Sequence, residues 1–194
     1  MSFQDDSFDA VYAIEATVHA PSLEGIYSEI YRVLKPGGVF GVYEWLMTDR
    51  YDNDNPRHRE IRLGIEQGDG ISNMEKIEVA LAAMEKAGFK LEMNEDLADR
   101  DDAYPWYWPL TGDLKYITSI LDVFTIVRMT KLGRGIVHRF LGGLEYLRLA
   151  PAGSQKTGDS LAQAADCLVA GGKEKLFTPM YLMVGRKPAT SRGN

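Results

Sequence analysis

The sequence predicts an α/β fold, and three observations along the chain support the prediction. Residues 8–14, FDAVYAI, have the composition of a buried strand, and the apolar run Val39–Tyr43 has that of a second strand. Between them, apolar residues recur at helical spacing from Leu23 to Leu34. Since strand, helix and strand follow one another, we expect two parallel strands joined by a right-handed crossover.

The remaining elements are predicted from apolar periodicity and from the positions of glycine and proline. The turn Lys35–Gly38 follows the first helix, because proline and glycine stop a helix. The later predicted elements are helices at 59–67 and 75–86, a strand at 89–93, helices at 114–124, 135–149 and 158–169, the last ended by Gly171 and Gly172, and a closing strand at 177–186. The tail after Pro188 lacks apolar anchors, so we expect it to be disordered.

The composition is that of a folded protein and excludes several functional classes. A chain of 194 residues with 45% hydrophobic and 26% charged residues is long enough for one substantial core. The net charge of −6 argues against nucleic-acid binding. The single cysteine, Cys167, excludes an internal disulfide framework and fits a reducing compartment. No apolar run reaches the length of a membrane span, since charged residues interrupt 114–129, and we expect a soluble or peripheral protein.

The first predicted strand begins only a few residues after Met1. A buried strand at this place would leave backbone groups and apolar side chains without neighbours at the edge of the sheet. We therefore expect either that the chain is a fragment or that a partner supplies the missing strands.

Polar and aromatic side chains follow both of the first two predicted strands. Glu15 and His19 come after the first strand, and Glu44 and Trp45 come after the second. Ligands of open α/β sheets bind at the carboxyl ends of the strands. The sequence therefore predicts a functional site at this edge of the sheet.

Several segments together resemble one enzyme family. They are YAIEATVHAP at 12–21, LKPGG at 34–38, YEWLMTD at 43–49, GDGI at 68–71, EDLAD at 95–99, PWYWPLTG at 105–112 and LVAGGK at 168–173. The chain resembles fungal sterol 24-C-methyltransferase from about residue 7 to residue 188. Many methyltransferases share the Lys-Pro-Gly-Gly turn, whereas Glu15–Pro21, Tyr43–Trp45 and the Trp-Tyr-Trp cluster are more specific.

The resemblance implies both a fold and an activity. The fold is the C-terminal half of a Rossmann-like class I methyltransferase sheet at 1–98, followed by a mainly helical region at 99–188 and a tail at 189–194. The activity is methyl transfer from S-adenosylmethionine to C24 of a zymosterol-like sterol in ergosterol biosynthesis. The family binds its cofactor through a glycine-rich turn that is absent from this sequence, so we expect no turnover by this chain alone. Some relatives have cysteine where this chain has Val18, which excludes a nucleophile there.

Methylation of an alkene creates a carbocation, and this chemistry selects the candidate residues. Aromatic faces attract cations, a carboxylate or histidine accepts the proton, and water must be excluded. The catalytic candidates are Glu15, His19 and Glu44. The substrate-binding candidates are Tyr43, Trp45, Asp69, Tyr104, Trp106, Tyr107 and Trp108. The candidates for binding S-adenosylmethionine are Ala13, Ile14 and Glu15, and no metal is expected.

Ordinary structural roles remain open for the same residues. Glu15 also suits a helix cap or an ion pair, His19 a loop, and Asp69 a turn between two glycines. The aromatic residues also suit simple packing. By resemblance we expect peripheral contact with the endoplasmic reticulum or a lipid droplet, and a homo-oligomer. The alternative functions are a non-catalytic lipid-binding or regulatory module and a methyltransferase of another substrate class.

Overall fold

The structure is a computed structural model that describes residues 1–189, so that the predicted tail from residue 190 onward lies outside the described residues. Its strands are β1 (Phe8–Ile14), β2 (Leu34–Met47), β3 (Lys90–Asp96) and β4 (Phe177–Arg186). Its helices are α1 (Leu23–Val33), α2 (Pro56–Asp69), α3 (Ile77–Lys86), α4 (Ile120–Val127), α5 (Lys131–Tyr146) and α6 (Ser154–Lys173). Short 3₁₀ turns lie at Thr17–His19, Leu97–Asp99, Trp108–Leu110 and Leu114–Tyr116.

The four strands form one sheet in the order β1-β2-β4-β3. Strands β1 and β2 are parallel, as predicted, with α1 between them in the chain. Strand β4 is antiparallel to both of its neighbours, β2 and β3. The prediction of an α/β fold is confirmed.

The prediction that β1 is a buried strand is wrong. Within residues 1–189, β1 pairs only with β2 and is therefore an edge strand. Phe8, Val11 and Ala13 pack against the core, whereas Tyr12 is 80% exposed and Ile14 is 59% exposed. Successive side chains of a strand point to opposite faces, so one face of β1 is covered and the other is open.

Strand β2 is longer than predicted at both ends. Gly37 has a φ of 84°, and the register jumps from Phe8 opposite Leu34 to Ala10 opposite Val39, so the predicted turn is an irregularity at the start of the strand. At its other end β2 continues to Met47, because β4 pairs with it as far as that residue. Glu44 and Trp45 therefore both lie inside the strand. The prediction that they follow its end is wrong.

The chain forms two compact units, each drawn from separate segments. Among the described residues, the first unit contains 1–51, 72–100 and 176–189, and therefore the four strands of the sheet with α1 and α3. Its core contains Tyr27 of α1, Phe40 of β2, Met84 of α3 and Met183 of β4, together with Phe89, which directly precedes β3. The rings of Tyr27 and Phe40 meet edge to face with their centroids 5.5 Å apart.

The second unit contains residues 52–71 and 101–175 and is mainly helical. Helices α2 and α6 approach closely at glycine positions. A Cβ atom built on Gly68 of α2 would lie 2.0 Å from the Cβ of Ala164 of α6, and one on Gly64 would lie 2.3 Å from the Sγ of Cys167. A Cβ at either position would force neighbouring atoms to shift, so glycine is the residue that fits these contacts.

Two predictions for the second unit are wrong. Gly171 and Gly172 do not end α6, which continues to Lys173. Gly172 instead allows close packing, because a Cβ on it would lie 2.3 Å from the ring of Tyr107. The predicted helix at 114–124 is a 3₁₀ turn followed by the separate helix α4. Ser119 starts α4 through a capping box with Asp122, which explains the break. Within residues 1–189, no helix is both long and apolar enough to cross a bilayer.

Candidate functional site

Glu15 stands at the point where β1 leaves the sheet. Its φ is 54°, in the left-handed region that costs a non-glycine residue roughly 1–3 kcal/mol. Its backbone N–H donates to the carbonyl oxygen of Tyr43 at 3.0 Å, which ties it to β2. Its side chain is exposed, so the carboxylate is available to a ligand at the strand end.

His19 closes a short 3₁₀ turn that follows Glu15. The turn spans Thr17–His19, and its last peptide is held by the bond from the Ala20 N–H to the Thr17 carbonyl at 2.9 Å. Thr17 and Val18 are buried, whereas His19 is exposed. The turn thus presents the imidazole at the same end of β1 as the carboxylate of Glu15.

A buried carboxyl group holds this turn against the sheet. Glu44 of β2 is fully buried, and its Oε2 accepts hydrogen bonds from the hydroxyl of Thr17 and, at 2.8 Å, from the hydroxyl of Tyr27. Tyr27 is itself fully buried on α1. Glu44 therefore connects β2, the turn and α1, and it has no surface that a substrate can touch.

Burial dominates the electrostatics of this network. It raises the pKa of Glu44 above its ordinary value of 4.5, although the hydroxyls of Thr17 and Tyr27 and the backbone N–H groups of Trp45 and Val18 oppose this change. Burial, with the nearby Glu44, also raises the pKa of Tyr27, which therefore stays protonated and donates its hydrogen bond. The carboxyl group is a structural acceptor and not an exposed acid.

The other candidates of the first unit lie on β1 and β2. Tyr43 and Trp45 flank Glu44 and are half-buried, and the indole of Trp45 packs against Phe177 with centroids 5.9 Å apart. A narrow cleft beside the turn is lined by Val18, Leu23 and Trp45, among others. Trp45 thus combines a packing contact with a place on this cleft.

The two residues predicted with Glu15 to bind the cofactor differ in exposure. Ala13 is half-buried against the core, whereas Ile14 lies on the open face of β1. The structure thus brings Ala13, Ile14, Glu15, His19 and the β2 residues 43–45 together at one end of the parallel strand pair.

The remaining candidates belong to the second unit. Asp69 is the last residue of α2, before Gly70, which has a φ of 67°. Tyr104 contacts the rings of Trp108 and Tyr116 at centroid distances of 6.1 and 5.6 Å.

Trp106 and Tyr107 form a second aromatic pair in this unit. Their rings meet edge to face at 5.3 Å, and both lie against Gly172 of α6. All four aromatic side chains of the 104–108 segment thus make packing contacts within their unit, and their role in substrate binding stays a prediction.

Thr17 and Tyr27 belong to the network around Glu44, yet the sequence alone does not reveal either of them as a site residue. Thr17 lies within a segment that supports the family resemblance, and Tyr27 lies on the apolar face of α1, but neither position indicates a hydrogen bond to Glu44. In residues 1–189 there is no cluster of three or more His, Cys, Asp or Glu side chains that could hold a metal ion.

Two family models match the chain: "Methyltransferase domain" over residues 1–42 and "Sterol methyltransferase C-terminal" over residues 124–189. A sterol 24-C-methyltransferase of Gibberella zeae is 73% identical over 189 residues, which are 97% of this chain and 50% of that protein. Over nearly its whole length the chain matches the sterol 24-C-methyltransferase family. A second family member, from Aspergillus fumigatus, is 72% identical over 188 residues, again 97% of this chain and 50% of that protein. The chain therefore spans about half the length of the curated relatives that it matches.

Solved structures share the fold at low sequence identity. A putative sarcosine dimethylglycine methyltransferase from Galdieria sulphuraria matches 97% of this chain and 56% of its own chain, with a TM-score of 0.58 and 16% identity. Geranyl diphosphate C-methyltransferase from Streptomyces coelicolor matches 96% of this chain and 51% of its own, with a TM-score of 0.58 and 14% identity. These matches establish a methyltransferase fold for the chain.

Proposed function

We propose that the chain contributes to a methyltransferase that transfers a methyl group from S-adenosylmethionine to C24 of a sterol side chain in ergosterol biosynthesis. The observation that supports this most strongly is the 73% identity to a sterol 24-C-methyltransferase over nearly the whole chain. The exposed carboxylate and imidazole at the end of β1 fit the chemistry that such a transfer requires.

The residues at the end of β1 suit a cationic methyl donor. Ile14 offers exposed apolar surface, and Glu15 offers an exposed carboxylate next to it. S-adenosylmethionine would supply the methyl group as a sulfonium, and a carboxylate attracts that positive charge. We assign the donor side of the site to Ala13, Ile14 and Glu15.

Proton removal from the methylated sterol needs a base that the substrate can reach. Glu15 and His19 are exposed at this end of the sheet, whereas Glu44 is fully buried. We therefore assign proton transfer to Glu15 or His19 and no contact with substrate to Glu44. Tyr43, Trp45, Asp69 and the aromatic segment 104–108 are proposed to bind the sterol.

A chimera tests the proposed function. In it, this chain replaces the aligned half of the Gibberella zeae sterol 24-C-methyltransferase, and we call this protein the chimera. We expect it to convert zymosterol, with labelled S-adenosylmethionine, into a product methylated at C24. A chimera that binds both compounds and forms no product would contradict the proposal. The isolated chain, assayed in parallel, tests the expectation that it does not turn over alone.

The roles of Glu15 and His19 are tested within the chimera. Glu15→Gln and His19→Gln each remove a proton acceptor, and we expect kcat to fall by about 10²- to 10⁴-fold for the residue that acts as the base. Glu24→Gln is a matched control, because Glu24 is an exposed glutamate on α1 that pairs with Lys86 at 3.3 Å. If both site variants retained the kcat of the control, neither residue would be the base.

A second candidate function is a non-catalytic lipid-binding or regulatory module. Helices α4 and α5 favour it, because they expose large apolar side chains: Phe124 is 72% exposed, Leu132 76% and Phe140 63%. Calorimetry separates the two functions. Binding of a sterol without binding of S-adenosylmethionine by the chimera would favour the module.

The same helices support the proposal of peripheral contact with the endoplasmic reticulum or a lipid droplet. Exposed apolar residues lie beside the exposed basic residues Arg128, Lys131 and Arg139, a combination typical of helices that bind an anionic lipid surface. Vesicles with and without phosphatidylserine test this contact, with Leu132→Lys as the disrupting variant. Light scattering at increasing concentration tests the homo-oligomer, and loss of self-association in Leu132→Lys would assign the surface to a second copy.

A further inference from the structure

Glu44 is the one acidic or basic residue among the fully buried side chains of residues 1–189. Burial of a carboxyl group is unfavourable unless hydrogen bonds compensate it, and an apolar residue of similar size often stabilises a core better. The carboxyl group at this place is therefore not explained by packing.

Two consecutive residues of β2 hold the segment that follows β1. The carbonyl oxygen of Tyr43 accepts the N–H of Glu15 at 3.0 Å, and the carboxyl group of Glu44 accepts the hydroxyl of Thr17. Tyr27 donates to the same oxygen of Glu44 from the side of α1. The segment is thus tied to β2 at both residue 15 and residue 17.

This attachment restrains the two exposed polar residues of the proposed site. Glu15 precedes Thr17 by two residues and His19 follows it by two. The left-handed backbone of Glu15 persists only where the surrounding structure enforces it. The hydrogen bond between Thr17 and Glu44 helps to hold Glu15 in this conformation, because it fixes the turn Thr17–His19, which begins two residues after Glu15.

We infer that Glu44 is a positioning residue that acts through the hydroxyl of Thr17 and holds Glu15 and His19 in the geometry needed for methyl transfer. This inference rests on the proposed function. Glu44 touches neither substrate nor cofactor in it, and Tyr27 keeps the carboxyl group oriented. A displacement of about 1 Å in such a site is enough to lower a rate by about 10²-fold.

Three threonine variants of the chimera test the inference. Thr17→Val removes the hydroxyl and keeps the shape, and we expect kcat to fall by about 10- to 100-fold with less than about threefold change in either KM. Thr17→Ser restores the hydroxyl, and kcat is expected to recover. Thr178→Val is the matched control, because Thr178 is also buried and also donates its hydroxyl to a carboxylate, that of Asp96 at 2.6 Å.

Stability and turnover separate a positioning role from a purely structural one. All variants are measured where circular dichroism shows them folded. If Thr17→Val and Thr178→Val lost thermal stability alike and neither lost kcat, the role would be structural and the inference overturned. Strong non-additivity between Thr17→Val and Glu44→Ala in kcat is expected, because each change removes one partner of the same hydrogen bond.

A readout without turnover keeps the inference distinct from the proposed function. If the chimera forms no product, the proposed function fails, and the imidazole of His19, labelled with ¹³C, still reports the position of the turn by NMR. We expect its signal to move in Thr17→Val and to return in Thr17→Ser. An unchanged signal in Thr17→Val would overturn the anchoring of His19 through Glu44.

Discussion

The turn after β1 and the helices α4 and α5 differ in where their polar and apolar side chains lie. In the turn, a polar group lies inside the unit, and two hydroxyls hydrogen-bond to the buried carboxyl group of Glu44. In α4 and α5, large apolar side chains such as Phe124 and Leu132 lie outside, where no buried partner covers them among the described residues. The first arrangement satisfies the two hydroxyls within their own unit, whereas the second favours a contact with a sterol, a lipid or another protein.

The difference shows which properties belong to each unit by itself. The geometry of Glu15 and His19 depends on bonds within the first unit, so single substitutions there should change it. The exposed face of α4 and α5 adds little to the stability of its own unit, so substitutions there should change binding more than folding. Variants of the chimera test how far this contrast holds.

The largest effect is expected for Glu44→Ala. It leaves the buried hydroxyls of Thr17 and Tyr27 without an acceptor and creates a cavity, so the free energy of unfolding should fall by about 3–5 kcal/mol. Urea unfolding measures the change. Glu92→Ala, which breaks an exposed pair with Arg186, is the control and should change little. Equal losses from the two substitutions would show that the buried carboxyl group contributes no more to stability than an exposed ion pair.

A smaller loss is expected for Gly68→Ala in the second unit. The added Cβ would lie 2.0 Å from the Cβ of Ala164, and the forced separation of α2 and α6 should cost about 1–3 kcal/mol in thermal or urea unfolding. Gly135→Ala on α5 is the control. Apart from the neighbouring backbone of its own helix, no atom lies within 4 Å of its added Cβ, so the variant should gain up to about 1 kcal/mol from helix propensity. A loss of stability in both variants would show that α5 is packed against other atoms at Gly135.

The pH dependence of stability tests the burial of Glu44. Because burial raises its pKa above 4.5 in the folded state, the folded protein binds this proton more tightly than the unfolded chain does. The contribution of this group to the free energy of unfolding should therefore be highest below about pH 4.5 and fall as the pH rises through the folded pKa. The loss amounts to about 1.4 kcal/mol for each pH unit that separates the folded pKa from the unfolded pKa.

Glu44→Gln isolates this contribution, since it cannot titrate. Unfolding of the unsubstituted chimera and of its Glu44→Gln variant is compared from pH 3.5 upward. The stability of the unsubstituted chimera relative to the variant should decrease with rising pH. A difference that stays constant across this range would mean that the folded state does not raise the pKa of this group.

The smallest effect is expected from the backbone of Glu15. Glu15→Gly relieves a left-handed conformation and should raise the free energy of unfolding by about 1 kcal/mol relative to Glu15→Ala, which keeps the strain. Both variants lose the carboxylate, so both should lose activity alike if that group acts in the reaction. Greater stability of the alanine variant would show that the φ of 54° is not strained in this context.

Local patterns predicted much of the fold. Helix α1 and strand β4 appear almost where periodicity and the flanking glycine and proline residues placed them. The errors arise where distant residues decide the outcome. Pairing with β4 extends β2 beyond its apolar run and so places Glu44 inside the strand, and Tyr107 gives Gly172 a packing role that a helix-stop signal does not reveal.

The site was predictable in its residue types and not in its connections. Glu15 and His19 follow an apolar run, and this pattern suffices to place them at a strand end. The bond between Thr17 and Glu44 joins residues that are 27 positions apart, and no local pattern specifies it. The domain boundary near residue 98 and the sterol-binding role of the aromatic segment stay predictions.

The position of β4 in the sheet has a consequence for the order of events during synthesis. It lies between β2 and β3, yet it is the last element in the chain among the described residues. Among the described residues β3 pairs only with β4, so this pairing waits until residues 177–186 leave the ribosome, long after β1, α1 and β2 have been made. The sheet therefore closes late and through contacts of high sequence separation, which favours slow folding and leaves unpaired strand edges accessible to chaperones in the meantime.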